Sequence, residues 1–275
     1  MTFDEIIYEK ADRVATVTLN RPDRMNAWTR RLDDQLRAAM AEAEGDAEIG
    51  AIIVTGAGRA FCAGADMGAL SKIAQGTEAV DGGTRTGSRD AANGGPEANF
   101  RGRFSWLLAQ RKPTIAAING ACVGMGFTNS LFYDIRIASD RARMGLIFVR
   151  RGLAIEHGSS WMLPRIVGVA NAVDLAVTGR LVDAQEALRM GLVSRVVPHD
   201  QLMATARELA RDIATQCSPL GVGHAKRMVY QHLFTDLATA ARDEDEIIEV
   251  MTKSEDFKEG IKAFTEKRAP HFKGR

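Results

Sequence analysis

Apolar and polar positions follow different rhythms along the chain. IIYEK (6–10) and RVATVTLN (13–20) are short β-type runs flanking the polar pair Ala11-Asp12, a pattern that predicts a hairpin. RPDR (21–24) leads into a helical repeat in which Leu32, Leu36, Met40 and Ala43 share one face and Gly45 ends the pattern. AIIVTG (51–56), TIAAINGACVG (114–124) and DIRIAS (134–139) each read as a short buried strand. Strands alternating with helices argue for an α/β arrangement.

The second half changes character. ANAVDLAVTG (170–179) predicts a helix stopped by Gly179. DAQEALRMGLVSRVV (183–197) predicts a helix capped by Asp183 and closed by Gly191, then a strand. From His199 onward the pattern is almost entirely helical, punctuated by Pro198 and by Ser218-Pro219. The division expected is a core over residues 1–199 and a helical region over 200–275. Residues 75–99 are rich in Gly, Thr, Asp and Asn, and a loop of that length is either an active-site lid or plain surface.

Composition narrows the function classes. The chain has 275 residues, 45% of them hydrophobic, enough for a sizeable core. A net charge of +1 gives no footprint for bulk nucleic-acid binding or an anionic membrane. The opening MTFDEIIYEK has no secretory-leader pattern, and no run of about 20 apolar residues would span a bilayer. Cys62, Cys122 and Cys217 fit neither a disulfide framework nor a zinc pattern. The expectation is a soluble, cytoplasmic protein.

Two segments are dense in glycine, GAGRAFCAGADM (56–67) and NGACVGMGF (119–127). The first follows a strand, but Phe61 stands where a dinucleotide fingerprint needs its third glycine. The second lacks the lysine of a phosphate-binding loop. Glycines also let backbone N–H groups approach a ligand, and two such loops aimed at one oxygen make an oxyanion hole. Tight turns and close packing are the plainer reading of the same glycines.

VTLNRPDRMNAW, AIIVTGAGRAFCAGADM, AAINGACVGMGF, DIRIAS, VTGRLVDAQEALRMGLVSRVV and SEDFKEGIKAFTEKRAPHF occur in that order. This series strongly resembles the crotonase superfamily, the enoyl-CoA hydratase/isomerase family, over nearly the whole chain. The resemblance implies a spiral of repeated ββα units with a C-terminal helical region that serves trimerisation, in a homotrimer or a dimer of trimers. It implies an acyl-CoA thioester as ligand, with coenzyme A as part of the substrate and no separate cofactor or metal. Carried over by motif, the N–H groups of Ala65 and Met125 would bind the thioester oxygen. The Ala63 backbone would hold the adenine end of CoA. Arg24 would face a phosphate, with Met25 and Ala27 lining the site; an ordinary solvated arginine is the alternative for Arg24. Met67 and Gly124 belong to the same implied binding surface. So does Asp66, although its place in the loop suits hydrogen bonds that fix the loop. Phe257, Phe264 and Lys267 would complete a CoA pocket, though helix packing is the simpler reading of the two phenylalanines.

The chain departs from the family where hydratases carry two glutamates. Those positions fall on Thr128 and Phe148, neither of which can manage a proton. GLAIEHGSSW (152–161) resembles a segment of the isomerase branch in which one glutamate is the sole base, and the match assigns that role to Glu156. A charged residue near a helix start is the bland alternative. Burial against Leu153, Ile155 and Trp161 is expected to raise the Glu156 pKa. His157 either tunes the site or faces solvent, and facing away is the favoured reading, since neighbouring side chains diverge on regular elements. Ser159 and Ser160 read as helix caps, and Cys62 and Cys122 as small buried packing. The expected activity is double-bond isomerisation of an enoyl-CoA. The alternatives are hydration of a 2-enoyl-CoA using Glu156, and a non-catalytic acyl-CoA-binding protein.

Overall fold

The computed structural model describes residues 3–77 and 99–275; residues 78–98, which hold nearly all of the 75–99 loop, lie outside the described residues. Strands β1 (Ile6–Ala11) and β2 (Val14–Leu19) form the expected antiparallel hairpin. Its turn is Asp12-Arg13, one residue later than the Ala11-Asp12 pair, because Ala11 pairs with Val14. Both turn residues have positive φ, 52° and 63°, as a tight hairpin matching the strand twist requires.

Helix α1 (Arg30–Gly45) starts where the Thr29 side chain accepts a hydrogen bond from the Leu32 N–H at 2.9 Å. Its predicted face, Leu32, Leu36, Met40 and Ala43, is buried. Strand β3 (Ala51–Gly56) then returns parallel to β2. In β3 Ile52 and Val54 face one apolar cluster, and Ala51 and Ile53 face another. A sheet covered on both faces explains why AIIVTG reads as one continuous apolar run.

TIAAINGACVG forms two strands rather than the single strand expected. Strand β5 (Thr114–Ile118) joins a six-stranded sheet and β6 (Ala121–Val123) joins a four-stranded one. The chain turns between them at Asn119-Gly120, where a β-carbon on residue 120 would collide with the Arg59 carbonyl. The same division recurs. Strand β4 (Ala60–Cys62) and helix α2 (Met67–Ala74) follow β3, and helix α3 (Met125–Ser130) follows β6. Strands β7 (Ile135–Ser139) and β8 (Arg143–Gly145) precede helix α4 (Ser159–Thr178). The sheets run β1-β2-β3-β5-β7-β10 and β4-β6-β8-β9, with β9 (Val182–Asp183) and β10 (Arg195–Val197) at their edges. This is the ββα spiral: β3 and β4, β5 and β6, and β7 and β8 each give one strand to each sheet, while both strands of the β1–β2 hairpin join the six-stranded one.

Helix α4 begins well before the predicted Ala170 and is broken at Gly168 (φ 77°, ψ 159°). Gly179 ends it in the left-handed region, and Asp183 caps helix α5 (Ala184–Arg189), both as predicted. Helices α6 (Leu202–Gln216), α7 (Pro219–Gln231), α8 (Leu237–Met251) and α9 (Glu255–Glu266) complete the described chain. Helix α6 lies on the sheet, with Leu202, Ala206, Ala210 and Ala214 buried beside Val14, Ile53, Ile115 and Ile137. Lys226 of α7 reaches Asp134 at 2.8 Å, a nearly buried pair that fastens α7 to the start of β7. Helix packing within the chain does not account for Phe264, which is 86% exposed. Among the described residues no helix is long and apolar enough to cross a membrane, and no cluster of side chains could hold a metal ion.

Candidate active site

The two glycine segments meet. A β-carbon built on Gly124 would sit 3.6 Å from the Gly64 Cα, and one on Gly64 would sit 3.3 Å from the Val123 carbonyl oxygen. Both residues have positive φ, 106° at Gly64 and 55° at Gly124, so a side chain at either would be strained, and one at Gly64 crowded as well.

The backbone directions follow from local hydrogen bonding. Trp28 N–H donates to the Gly64 carbonyl at 2.7 Å and Asp66 N–H donates to the Trp28 carbonyl at 3.0 Å. That parallel bridge turns the Ala65 N–H to the opposite side, away from Trp28. Met125 is the first residue of α3, so it has no preceding helical turn to bond to. Among the described residues neither the Ala65 nor the Met125 N–H has a hydrogen-bond partner. Both are backbone donors left free where the loops converge.

Two buried asparagines hold this geometry, and the sequence reading missed both. Asn26 donates to the carbonyls of Ala57 (3.0 Å) and Ala60 (2.7 Å), and its own oxygen accepts the Arg21 N–H at 2.8 Å. Asn119 donates to the carbonyls of Gly56 and Gly58 at 2.9 Å and of Ala60 at 3.2 Å. Asn26 has φ 55°, a conformation asparagine tolerates better than most residues, and that preference was the available signal. Arg21 was missed too. It pairs with Glu5 at 3.2 Å and Asp66 at 3.1 Å, tying the 21–27 turn to the first glycine loop.

The residues expected to hold CoA lie on these segments. Arg24, in a 3-10 turn, is 71% exposed, and among the described residues its side chain has only a long 3.8 Å approach to Asp23. Met25 is exposed, and its carbonyl accepts the Ala63 N–H at 3.0 Å, while the Ala63 carbonyl has no hydrogen-bond partner among the described residues. Ala27 is half-buried and Met67, at the start of α2, is exposed. Asp66 caps α2 through the Gly68 N–H at 2.9 Å while its other oxygen meets Arg21. Burial pushes its carboxyl up, but the bonds from Gly68 and Arg21 outweigh this and hold it below the ordinary value of 3.8. Its oxygens are occupied in fixing the loop. Cys62 and Cys122 are buried and free, and burial pushes the Cys62 thiol up to about 12. Neither is a poised nucleophile.

Thr128 and Phe148 are both buried, Thr128 on α3 and Phe148 in a 3-10 turn. Glu156 differs from expectation. Its side chain is 41% exposed and Leu153 beside it is largely exposed, so an apolar pocket does not surround the carboxylate. Nor does Glu156 start a helix: α4 begins at Ser159, with Gly158 in the cap position. Ser159 is not a cap; its hydroxyl donates to the Glu156 carbonyl at 2.8 Å.

His157 does not face away. Its side chain is 12% exposed and its Nε2 lies 3.1 Å from Glu156 Oε1. The rule that adjacent side chains diverge holds for helix and strand, but His157 has φ 57°, which folds the two together. The His157 ring meets Phe104 edge-on at 5.7 Å, and Phe104 meets Trp28 edge-on at 5.1 Å. Rings thus run from Trp28, beside Ala65, to the neighbour of Glu156.

A ββα spiral carrying two facing glycine loops with free N–H groups is the architecture of enzymes that handle acyl-CoA thioesters. The chain belongs to the enoyl-CoA hydratase/isomerase family, whose model matches residues 9–275, and it is an acyl-CoA enzyme of that family. The "Probable enoyl-CoA hydratase echA8" of Mycobacterium tuberculosis is 37% identical over 272 residues, covering 99% of each chain. The 1,2-epoxyphenylacetyl-CoA isomerase of Escherichia coli is 34% identical, covering 95% of each. The crystal structure of enoyl-CoA hydratase from Bacillus anthracis superimposes with a TM-score of 0.85 at 32% identity, covering 99% of this chain and all of that one.

Proposed function

We propose that this enzyme moves the double bond of an enoyl-CoA, with Glu156 as sole general base and the Ala65 and Met125 N–H groups as its oxyanion hole. The observation that carries the reading is the distribution of carboxylates. Thr128 and Phe148 stand buried at the two positions where hydratases of the family keep glutamates, while Glu156 remains on an accessible turn. Glu156 removes a proton from C2 of a 3-enoyl thioester. The electron pair moves into a dienolate, and its charge gathers on the thioester oxygen, where fixed N–H dipoles stabilise it. The same carboxyl returns the proton at C4, giving the conjugated 2-enoyl thioester. Each good oxyanion donor is worth about 100- to 1000-fold in rate, and a placed base about 100- to 10,000-fold.

Hydration is the second reading, favoured by the hydratase names of close relatives and by the exposure of Glu156, which leaves room for water. The deciding experiment supplies 3-enoyl-CoA and follows the rise of conjugated-thioester absorbance, then supplies 2-enoyl-CoA and follows its loss. Isomerisation requires the first signal to dominate and to disappear in Glu156→Gln. Undiminished activity in that variant overturns the reading. A cytoplasmic trimer or hexamer is part of the same proposal, and Val169, Val173, Val177 and Phe264 are exposed apolar residues for such contacts.

A further inference from the structure

A base that takes a proton at one carbon and delivers it two carbons away must stay in one place during the intermediate's life. An exposed glutamate has three rotatable side-chain bonds and no reason of its own to do so. The reading of Glu156 as base therefore asks for something that holds the carboxylate. We infer that His157 is that positioning residue. Its Nε2 stands within donating reach of Glu156 Oε1 and leaves Oε2 as the oxygen that exchanges the proton with substrate. This inference rests on the proposed role of Glu156.

Three observations carry it. The first is the 3.1 Å approach of Nε2 to Oε1, an ion-pair contact within donating reach. Both the neutral Nε2–H tautomer and the imidazolium can donate there. The second is the unequal freedom of the partners: the imidazole is mostly buried while the carboxylate is not. The ring is held by its edge contact with Phe104, which itself packs on Trp28 and, at 6.4 Å, on Phe132. The following residue is equally constrained. Gly158 has φ 84°, and a β-carbon there would sit 3.0 Å from the Phe132 ring. The third is that, among the described residues, the Glu156 carboxylate has no polar partner besides this ring. The packed ring is the fixed partner and the carboxylate the one it orders. Ordering of this kind acts on the chemical step, because a small misplacement of a reacting atom costs rate before it costs binding.

The test uses the full chain with 3-enoyl-CoA as substrate and compares three variants. Glu156→Gln reports on the base itself. His157→Phe keeps a ring against Phe104 but removes the donor. His157→Gln restores an N–H donor without the ring. The expected result is a near-inactive Glu156→Gln and a kcat about 10- to 100-fold lower in His157→Phe, the value of a hydrogen bond to a charged group. KM changes far less in His157→Phe, and kcat recovers most of the way in His157→Gln. Exchange of the C2 protons of a saturated acyl-CoA into deuterated water follows the same order, since it needs the base but no double-bond shift. If Glu156→Gln is inactive while His157→Phe matches the parent, this inference falls and the role of Glu156 stands. Equal losses in both His157 variants also overturn it, because ring packing then matters and the donor does not. Full activity in Glu156→Gln overturns the role of Glu156 and this inference with it.

Discussion

The loops bearing Ala65 and Met125 are held entirely from within, whereas the turn bearing Glu156 lies open to solvent. On the first side, Gly56, Gly120 and Gly126 have no room for a β-carbon, and two buried asparagines converge on the Ala60 carbonyl. On the second, a carboxylate at 41% exposure leans on one histidine. The groups proposed to stabilise charge are backbone, so they depend on fold and hardly on side-chain identity. The group proposed to move protons is a side chain on a turn, and its position can be reassigned at little structural cost. On the proposed reading, that contrast is how a chain whose motif match sets Thr128 and Phe148 against two family glutamates can present its acid at residue 156.

Four measurements would break or sharpen the comparison. Glu156→Gln should lower turnover about 100- to 10,000-fold with an unchanged melting temperature, since glutamine keeps the size and shape of the side chain. A large fall in melting temperature would move Glu156 to the structural side. Gly126→Val should do the opposite. Its β-carbon would fall 2.6 Å from the Cys62 Cβ and 2.9 Å from Sγ, so stability should drop by about 1–3 kcal/mol or more, with activity lost alongside. Normal thermal unfolding of that variant would show that the loops have slack. Asn26→Ala strands the Ala57 carbonyl and the Arg21 N–H, and should cost about 1–3 kcal/mol in urea unfolding. Asp66→Ala should cost about 1 kcal/mol at neutral pH through loss of the α2 cap. Because the folded carboxyl lies below the ordinary value of 3.8, its contribution is present above that value and is lost as pH falls through the lower folded one. The difference between parent and variant should therefore close in acid; a gap that persists at low pH would mean the loop is not held by charge.

Where helix and strand periodicity was strong, the fold was legible. The α1 face, the hairpin, the caps at Asp183 and Gly179 and the apolar runs of β3, β5 and β7 were all readable. Strands β4 and β8 were not, because three residues are too few to show a period. The break at Asn119-Gly120 was hidden inside an unbroken apolar run. What forces it is contact with Arg59, distant in sequence. In the site, the motif series located the glycine loops and Glu156, but the surroundings of Glu156 were misjudged. Apolar neighbours in sequence implied burial, yet Leu153 points outward. The meeting of His157 with Glu156 depends on one left-handed residue, which no periodicity reveals.

The shared Ala60 carbonyl has a kinetic meaning. It joins a turn 34 residues upstream to a corner 59 residues downstream, so neither arm can be completed before the other two segments are in place. Contacts between residues so distant in sequence form late, after loop entropy has been overcome. The two proposed oxyanion donors should then appear in a single cooperative step, and a molecule with one working arm should not accumulate. In a urea titration, loss of activity and loss of helical ellipticity should coincide; activity vanishing at lower urea would show that the arms come apart while the rest of the spiral stands.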